Sequence, residues 1–227
     1  MSVRKTSFVK GEYYHLYNRG NSKQIIFRDK QDYFHFLTLL YTCNGTNNFR
    51  NFLVQNTKEK DPFLFERGEQ LVSIGAYVLM PNHFHILIKE KTDSGISKFM
   101  QKLSTAYVMY FNKKYKRTGG LFEGKFKSQH LHNDKYLKYI FSYIHLNPVK
   151  LLQKDWKEAG LRNKTQTFRF LDSYHYSSCQ DYLGVSRKYN ILLTRSVFPA
   201  YFPSVSTFKK EILEWLLYDM EDLLGKT

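Results

Sequence analysis

The side chains best suited to chemistry are two histidines in the run Tyr77-Val78-Leu79-Met80-Pro81-Asn82-His83-Phe84-His85-Ile86-Leu87-Ile88. Two apolar runs flank a Pro-Asn turn, and the second begins His-Phe-His. On a strand, residues two apart point to one face, so His83 and His85 project together while Phe84 points the other way. Imidazoles roughly 6–7 Å apart on a rigid strand suit one divalent metal ion. Two hydrogen-bonded histidines on a polar strand face would have the same spacing, and the pair alone does not choose between these readings. A second candidate group lies later in the chain. Tyr143 and Asn147 are four residues apart, so they share a helical face if the helix runs through its last turn. A tyrosine hydroxyl, with an unperturbed pKa of about 10, is a poor nucleophile at neutral pH. A nearby metal that polarises the electrophile changes that. The Asn147 amide oxygen is a plausible hard third ligand beside two imidazoles. Such a set leaves positions open for phosphate oxygens or water, as Mg²⁺ or Mn²⁺ chemistry needs. On periodicity, Tyr139 competes equally with Tyr143, and either could be a core aromatic.

The surrounding elements follow from pattern. Residues 12–18 alternate as a strand, and Arg19-Gly20-Asn21 turns the chain. Apolar positions at 33, 34, 36, 37, 40 and 41 predict an amphipathic helix over 29–43. Residues 44–69 form a polar excursion with room for a short strand at 52–54. The runs 72–80 and 84–89 predict an antiparallel hairpin. A helix then extends to about residue 116, stopped by Thr118-Gly119-Gly120. Residues 121–131 read as a glycine-interrupted strand. A last core helix, capped by Asp134 and closed by Asn147-Pro148, covers about 136–146. Strand, helix, hairpin, helix, strand, helix predicts an α+β, ferredoxin-like split βαβ sandwich, with helices on one face of a mostly antiparallel sheet. The organisation expected is a core over 1–150 and an extension over 151–227. The extension reads as loop through 205, then as an amphipathic helix over about 207–224 with an acidic polar face.

Composition narrows the partner. The chain has 227 residues, a net charge of +15, 18 Tyr and 19 Phe. That surplus points to a polyanion, either nucleic acid or an anionic membrane. No apolar run approaches the ~20 residues that span a bilayer, and no signal-peptide core is visible. Two cysteines, Cys43 and Cys179, fit a reducing compartment. The expectation is a cytoplasmic nucleic-acid protein with no membrane partner. Between Lys98 and Lys127, eight lysines and arginines stand against the single acid Glu123. Lys113, Lys114, Lys116 and Arg117 close one helix, and Lys125 and Lys127 flank Phe126. Basic residues interleaved with aromatics suit a single strand held by phosphate contacts and stacking. The helix macrodipole favours part of the same cluster without any ligand.

Several motifs together carry a resemblance. Tyr14-His15-Leu16-Tyr17-Asn18-Arg19-Gly20 comes first, followed by Leu79-Met80-Pro81-Asn82-His83-Phe84-His85. Then come Gly120-Leu121-Phe122-Glu123-Gly124-Lys125-Phe126-Lys127-Ser128, Tyr143-Ile144-His145-Leu146-Asn147-Pro148-Val149, and Tyr176-Ser177-Ser178 with Tyr182. In order and spacing the chain resembles the Y1 transposases, the HUH single-strand nucleases of the IS200-like type, and most the REP-associated tyrosine transposase branch. Each motif is weak alone; the set covers roughly residues 13–183. The resemblance implies that His83 and His85 are metal ligands, that Tyr143 is the nucleophile and that Asn147 is the third ligand, which ranks Tyr143 above Tyr139. It implies cleavage of single-stranded, hairpin-bearing DNA through a 5′-phosphotyrosyl intermediate, without a nucleotide cofactor. Arg19, Lys113, Lys114, Lys116, Arg117, Lys125 and Lys127 would contact the DNA. Lys125 stands where the family often has Arg, which keeps the charge but loses the bidentate fork. No family motif falls after residue 184, and both monomers and homodimers occur among such proteins. The alternative is a non-catalytic hairpin-DNA-binding protein on the same fold, against which the intact His83, His85, Tyr143 and Asn147 set argues. A replication initiator or relaxase would need further domains, and charge alone would also suit RNA.

Overall fold

The computed structural model describes residues 7–47 and 61–217. The core elements are β1 (Tyr13–Arg19), α1 (Lys30–Thr42), β2 (Val72–Met80), β3 (His83–Glu90), α2 (Gly95–Lys114), β4 (Lys127–His130) and α3 (Asp134–Leu146). The sheet order is β2-β3-β1-β4, and every neighbouring pair is antiparallel. β3 therefore inserts between β1 and β2, which run the same way with α1 crossing between them. This is the ferredoxin-like split βαβ arrangement. The proposed strand at 52–54 and the helix end beyond 217 lie outside the described residues.

One face of the sheet buries Tyr14, Leu16, Tyr77, Phe84 and Ile86 against Phe36 and Leu40 of α1 and Phe99, Leu103 and Tyr107 of α2. Each such side chain removed from water is worth about 1.5–3 kcal/mol, so this face anchors the fold. Asp29 starts α1 by accepting a hydrogen bond from the Asp32 backbone N–H. The other face carries Ala76, Val78, Met80 and Leu87, covered by Ile140, Phe141 and Ile144 of α3. The expectation of helices on one face therefore holds for α1 and α2 but not for α3. β2 shows why: all nine of its residues are buried, as in a strand covered on both sides.

The residues after 150 are not loop through 205. Short helices α4 (Val149–Leu152) and α5 (Trp156–Ala159) precede α6 (Lys164–Ser173), α7 (Cys179–Tyr182) and α8 (Val205–Leu217). Polar spacing hid α6, which Asn163 caps by accepting from the Gln166 N–H. This segment completes the second face. The Leu79 N–H donates to Tyr176 O and the Ser178 N–H to Tyr77 O, both at 2.9 Å, so the open edge of β2 is covered. Phe198 packs at the β2 bulge, where a Cβ on Gly75 would stand 2.7 Å from its ring. α8 lies along α3, with the Trp215 ring 5.4 Å from Tyr139 and Glu211 paired to Lys138 at 2.8 Å. The predicted strand over 121–131 shrinks to β4, because Gly124 takes φ 135° just before it.

Candidate active site

β3 begins at His83, directly after the Pro81-Asn82 turn. That turn is held from outside, by the Gly20 N–H on Asn82 O and the Ile26 and Phe27 N–H groups on Pro81 O. Gly20 is required there, since a Cβ would fall 2.2 Å from Gln24 O. Phe84 is fully buried against Phe36, which commits His83 and His85 to the opposite face. Their ring centroids are 5.1 Å apart. In the β1–β3 register Tyr17 stands opposite His85 and Arg19 opposite His83, so the alternate β1 residue His15 shares the histidine face.

α3 crosses this face and brings Tyr143 to it. The Tyr143 ring lies 5.4 Å from His85 and 5.9 Å from His15. Asn147 keeps helical angles, φ −53° and ψ −38°, so it stays on the Tyr143 side of the helix. Its Oδ1 is 3.3 Å from His83 Nε2. Tyr139, one turn back, packs on Tyr143 and Trp215 and makes no ring contact with the histidines. Burial raises the Tyr143 hydroxyl pKa while the neighbouring Asn147 side chain opposes it; burial pushes Tyr139 up to about 12.

The hydrogen bonds assign protons. Asn82 Nδ2 donates to Lys23 O at 3.2 Å, which orients the amide so that Oδ1 accepts from His83 Nδ1–H at 2.6 Å. His83 Nε2 then carries a lone pair, yet it faces another acceptor, Asn147 Oδ1. Asn147 Nδ2 is buried with no hydrogen-bond partner. Turning the Asn147 amide over would relieve the clash of acceptors but strand its oxygen. A cation between the two acceptors relieves it directly, so the residues present fit a divalent ion. His85 Nδ1 is 2.9 Å from His15 Nε2. Burial keeps both rings neutral, with His15 down to about 4, His85 well below its ordinary value and His83 also lowered. Among the described residues no three His, Cys, Asp or Glu side chains form a metal cluster, so an ion here would have two imidazoles and one amide oxygen.

The candidate DNA contacts divide. Lys127 stands opposite Tyr17 in the β1–β4 register, on the histidine face, and Lys125 is exposed just before it. Arg19 is exposed but pairs with Glu123 at 2.5 Å. Lys113 and Lys116 are exposed at the end of α2, on the far face of the sheet. Lys114 needs correction as a DNA contact. Its Nζ binds Asp29 at 2.8 Å and buried Asp32 at 2.7 Å, so its charge is spent inside the fold. Arg117 donates to Gly120 O at 3.0 Å and lies over Phe111, but among the described residues it has no ion pair. His15 and His145, the histidines nearest the motifs, are both buried; His145 binds Ser178 Oγ at 2.8 Å and cannot reach DNA. Sequence reasoning missed His15 as a partner of His85, because the β1–β3 register is not written in either strand. It also missed Lys150 and Lys157, which border Tyr143; Lys157 Nζ lies 5.4 Å from the Tyr143 ring centroid.

On this split βαβ sheet two histidines, a tyrosine and an asparagine converge on one face. The family described as "Transposase IS200 like" matches residues 65–147, from just before the histidine hairpin to Asn147. Over that segment the chain is similar to the IS200-like transposases. Among solved structures it is similar to a REP-associated tyrosine transposase bound to a REP hairpin, at 14% identity over 88% of this chain and 89% of that one, with a TM-score of 0.47. It is also similar to tRNA(His) guanylyltransferase from Saccharomyces cerevisiae, at 13% identity over 87% and 85%, with a TM-score of 0.36. No curated protein matches the chain. Among the described residues no helix is long and apolar enough to cross a membrane.

Proposed function

We propose that this protein cuts and rejoins single-stranded DNA at hairpin-bearing sites, with Tyr143 as nucleophile and His83, His85 and Asn147 as ligands of Mg²⁺ or Mn²⁺. One observation carries the reading: Tyr143 and the opposed acceptors His83 Nε2 and Asn147 Oδ1 meet on one face of a rigid sheet. The hairpin substrate is what the family resemblance implies.

Tyr143 Oη attacks the scissile phosphorus. An Oη–P bond forms as the P–O3′ bond breaks, the phenolic proton passes to solvent, and the departing 3′ oxygen takes up a proton to become a hydroxyl. The ester count is unchanged, so a second 3′-hydroxyl can reverse the step onto another strand, and no nucleotide is consumed. The bound ion supplies positive charge at the phosphate, which lowers the cost of the phenolate and of the crowded transition state. Asn82 holds His83 with Nε2 forward. His15 does the same for His85, accepting from its Nδ1–H and leaving Nε2 free.

The test is covalent capture. Protein incubated with single-stranded hairpin oligonucleotides and Mg²⁺ or Mn²⁺ is expected to give an adduct on a denaturing gel that is lost in Tyr143→Phe. An adduct that survives Tyr143→Phe moves the role to another tyrosine, Tyr139 first. No adduct across a broad oligonucleotide pool leaves a protein that only binds hairpins.

A further inference from the structure

Two sequence motifs far apart in the chain, around Arg19-Gly20 and around Glu123-Gly124, are joined in the fold. The Asn21 N–H donates to Leu121 O at 2.9 Å, Gly20 bridges to Phe122, the Glu123 N–H donates to Arg19 O at 3.0 Å, and Asn18 Nδ2 donates to Gly124 O at 3.0 Å. Phe122 anchors the segment through its ring contacts with Phe84 and Tyr107. Backbone held at successive residues in this way fixes the Glu123 side chain at the end of β1, where its Oε2 stands 2.5 Å from Arg19 Nε.

The guanidinium stands beside the histidine pair. Arg19 is opposite His83 in the β1–β3 register and alternates with His15 and Tyr17, so its side chain leaves the sheet on the histidine face. Its charge is felt there: burial first, and then the charges of Lys150 and Arg19, lower the His83 pKa against the Asn147 bond. Glu123 meets the guanidinium at Nε. The Nη1 and Nη2 groups donate no hydrogen bond among the described residues, and the Arg19 side chain is 49% exposed. That free edge carries the parallel N–H pair that matches two oxygens of one phosphate. An ammonium surrounded by acceptors, as in Lys114, has nothing left to donate, whereas an arginine held at Nε keeps its fork. The Arg19–Glu123 pair is neutral as a whole, so it offers a phosphate direction and not net charge.

We propose that Arg19 grips the non-bridging oxygens of the scissile phosphate through Nη1 and Nη2, and that Glu123 is the positioning residue that aims it. The inference rests on the DNA-cleaving reading and deepens it, placing an arginine fork on the opposite side of His83 from Asn147.

The grip can be read without cleavage. A hairpin oligonucleotide is bound in EDTA, with a single uncharged methylphosphonate linkage moved through its unpaired positions. At one linkage the wild-type protein is expected to lose affinity about 5- to 10-fold, and Arg19→Ala should lose less than about 2-fold there. Arg19→Lys should recover less than half of that penalty, because it restores the charge and not the fork. Should Arg19→Ala fail to fold, Arg19→Lys reads the same coupling. Glu123→Ala should lose at least half of the penalty, Glu123→Gln, which keeps an oxygen at Nε, should retain most of it, and the exposed control Glu69→Ala should leave it intact. With Mg²⁺ or Mn²⁺ added, the coupled linkage should be the one that is captured, and Arg19→Ala should slow capture about 100-fold. No linkage coupled to Arg19 overturns the proposal, and so does capture at a linkage other than the coupled one. An undiminished penalty in Glu123→Ala overturns the positioning role. The two readings fail separately: a coupled linkage without a covalent adduct would remove the nuclease and keep the grip, and an adduct without a coupled linkage would do the reverse.

Discussion

Lys114→Met should behave as a stability variant and not as a DNA-binding one. The ammonium donates to Asp32 Oδ1 at 2.7 Å and to Asp29 at 2.8 Å. The Asp32 side chain is fully buried and the Asp29 side chain is 51% exposed, so nearly all the cost falls on Asp32. Removing one partner of a buried pair costs about 3–5 kcal/mol when the other charge is left alone. Asp32 would not be alone. It keeps the Tyr115 hydroxyl at 2.7 Å, the Tyr110 hydroxyl at 3.0 Å and the Arg28 N–H at 2.8 Å. The loss should therefore sit nearer about 2–3 kcal/mol, the value of hydrogen bonds to a charged group. For a chain of this size that lowers Tm by about 4–12 °C.

The pH dependence has a definite sign. Burial works to raise the Asp32 pKa, but the bonds from Lys114, Tyr115 and Arg28 outweigh it and leave it below its ordinary value; Asp29 is lowered first by Lys114. Carboxylates with depressed folded pKa values contribute stability that is complete above the unfolded value, near 4, and is lost only as pH falls through the folded one. The gap between wild type and Lys114→Met should accordingly be constant from pH 6 to 8. Thermal melts measure the gap, and oligonucleotide binding against salt concentration measures the phosphate contacts. A variant that melts within a degree of wild type yet loses affinity and salt slope would refute the assignment and return Lys114 to the DNA.

Further perturbations separate the other roles. Lys127→Ala, on the histidine face, should weaken DNA binding and reduce the salt slope by about one, whatever the DNA sequence; an unchanged slope would remove it from the interface. His15→Ala should weaken Mn²⁺ binding about 10- to 100-fold, read by the Mn²⁺ paramagnetic resonance signal, with the melt little changed; full affinity would show that His85 needs no partner. His15 and His35 are held down to about 4 by burial and His145 to about 3, so each stays neutral in the folded state. The unfolded chain takes up protons there first, and stability should begin to fall near pH 6.5, by up to about 1.4 kcal/mol per histidine per pH unit. A melt flat from pH 7 to 5 would contradict that. Gly75→Ala should cost about 1–3 kcal/mol by overpacking against Phe198, and Gly75→Ala with Phe198→Leu should recover part of it.

What was legible in the sequence and what was not divides along one physical line. Period-two and helical spacing show which residues share a face of one element, so His83 with His85, and Tyr143 with Asn147, could be paired on paper. Nothing in that spacing says which face of the sheet α3 covers, and the expectation of helices on one side failed there. The clue was present in β2, whose residues are apolar on both faces, but a continuous apolar run reads equally as an ordinary buried strand. Register is less legible still. His15 meets His85 because β1 runs antiparallel to β3 with Tyr17 opposite His85, and a slip of one residue would turn His15 to the α1–α2 face. Lys114 leaves the basic cluster for a different reason. A lysine at a helix end is attractive to phosphate only if its charge is unspent, and Lys114 is neutralised by Asp29 and Asp32, more than eighty residues earlier in the chain. Composition counts charges, whereas a binding surface depends on which of them remain unpaired after folding. By that measure exposed Lys113, Lys116 and Lys127 have more charge to offer a phosphate than Lys114 in the same basic run.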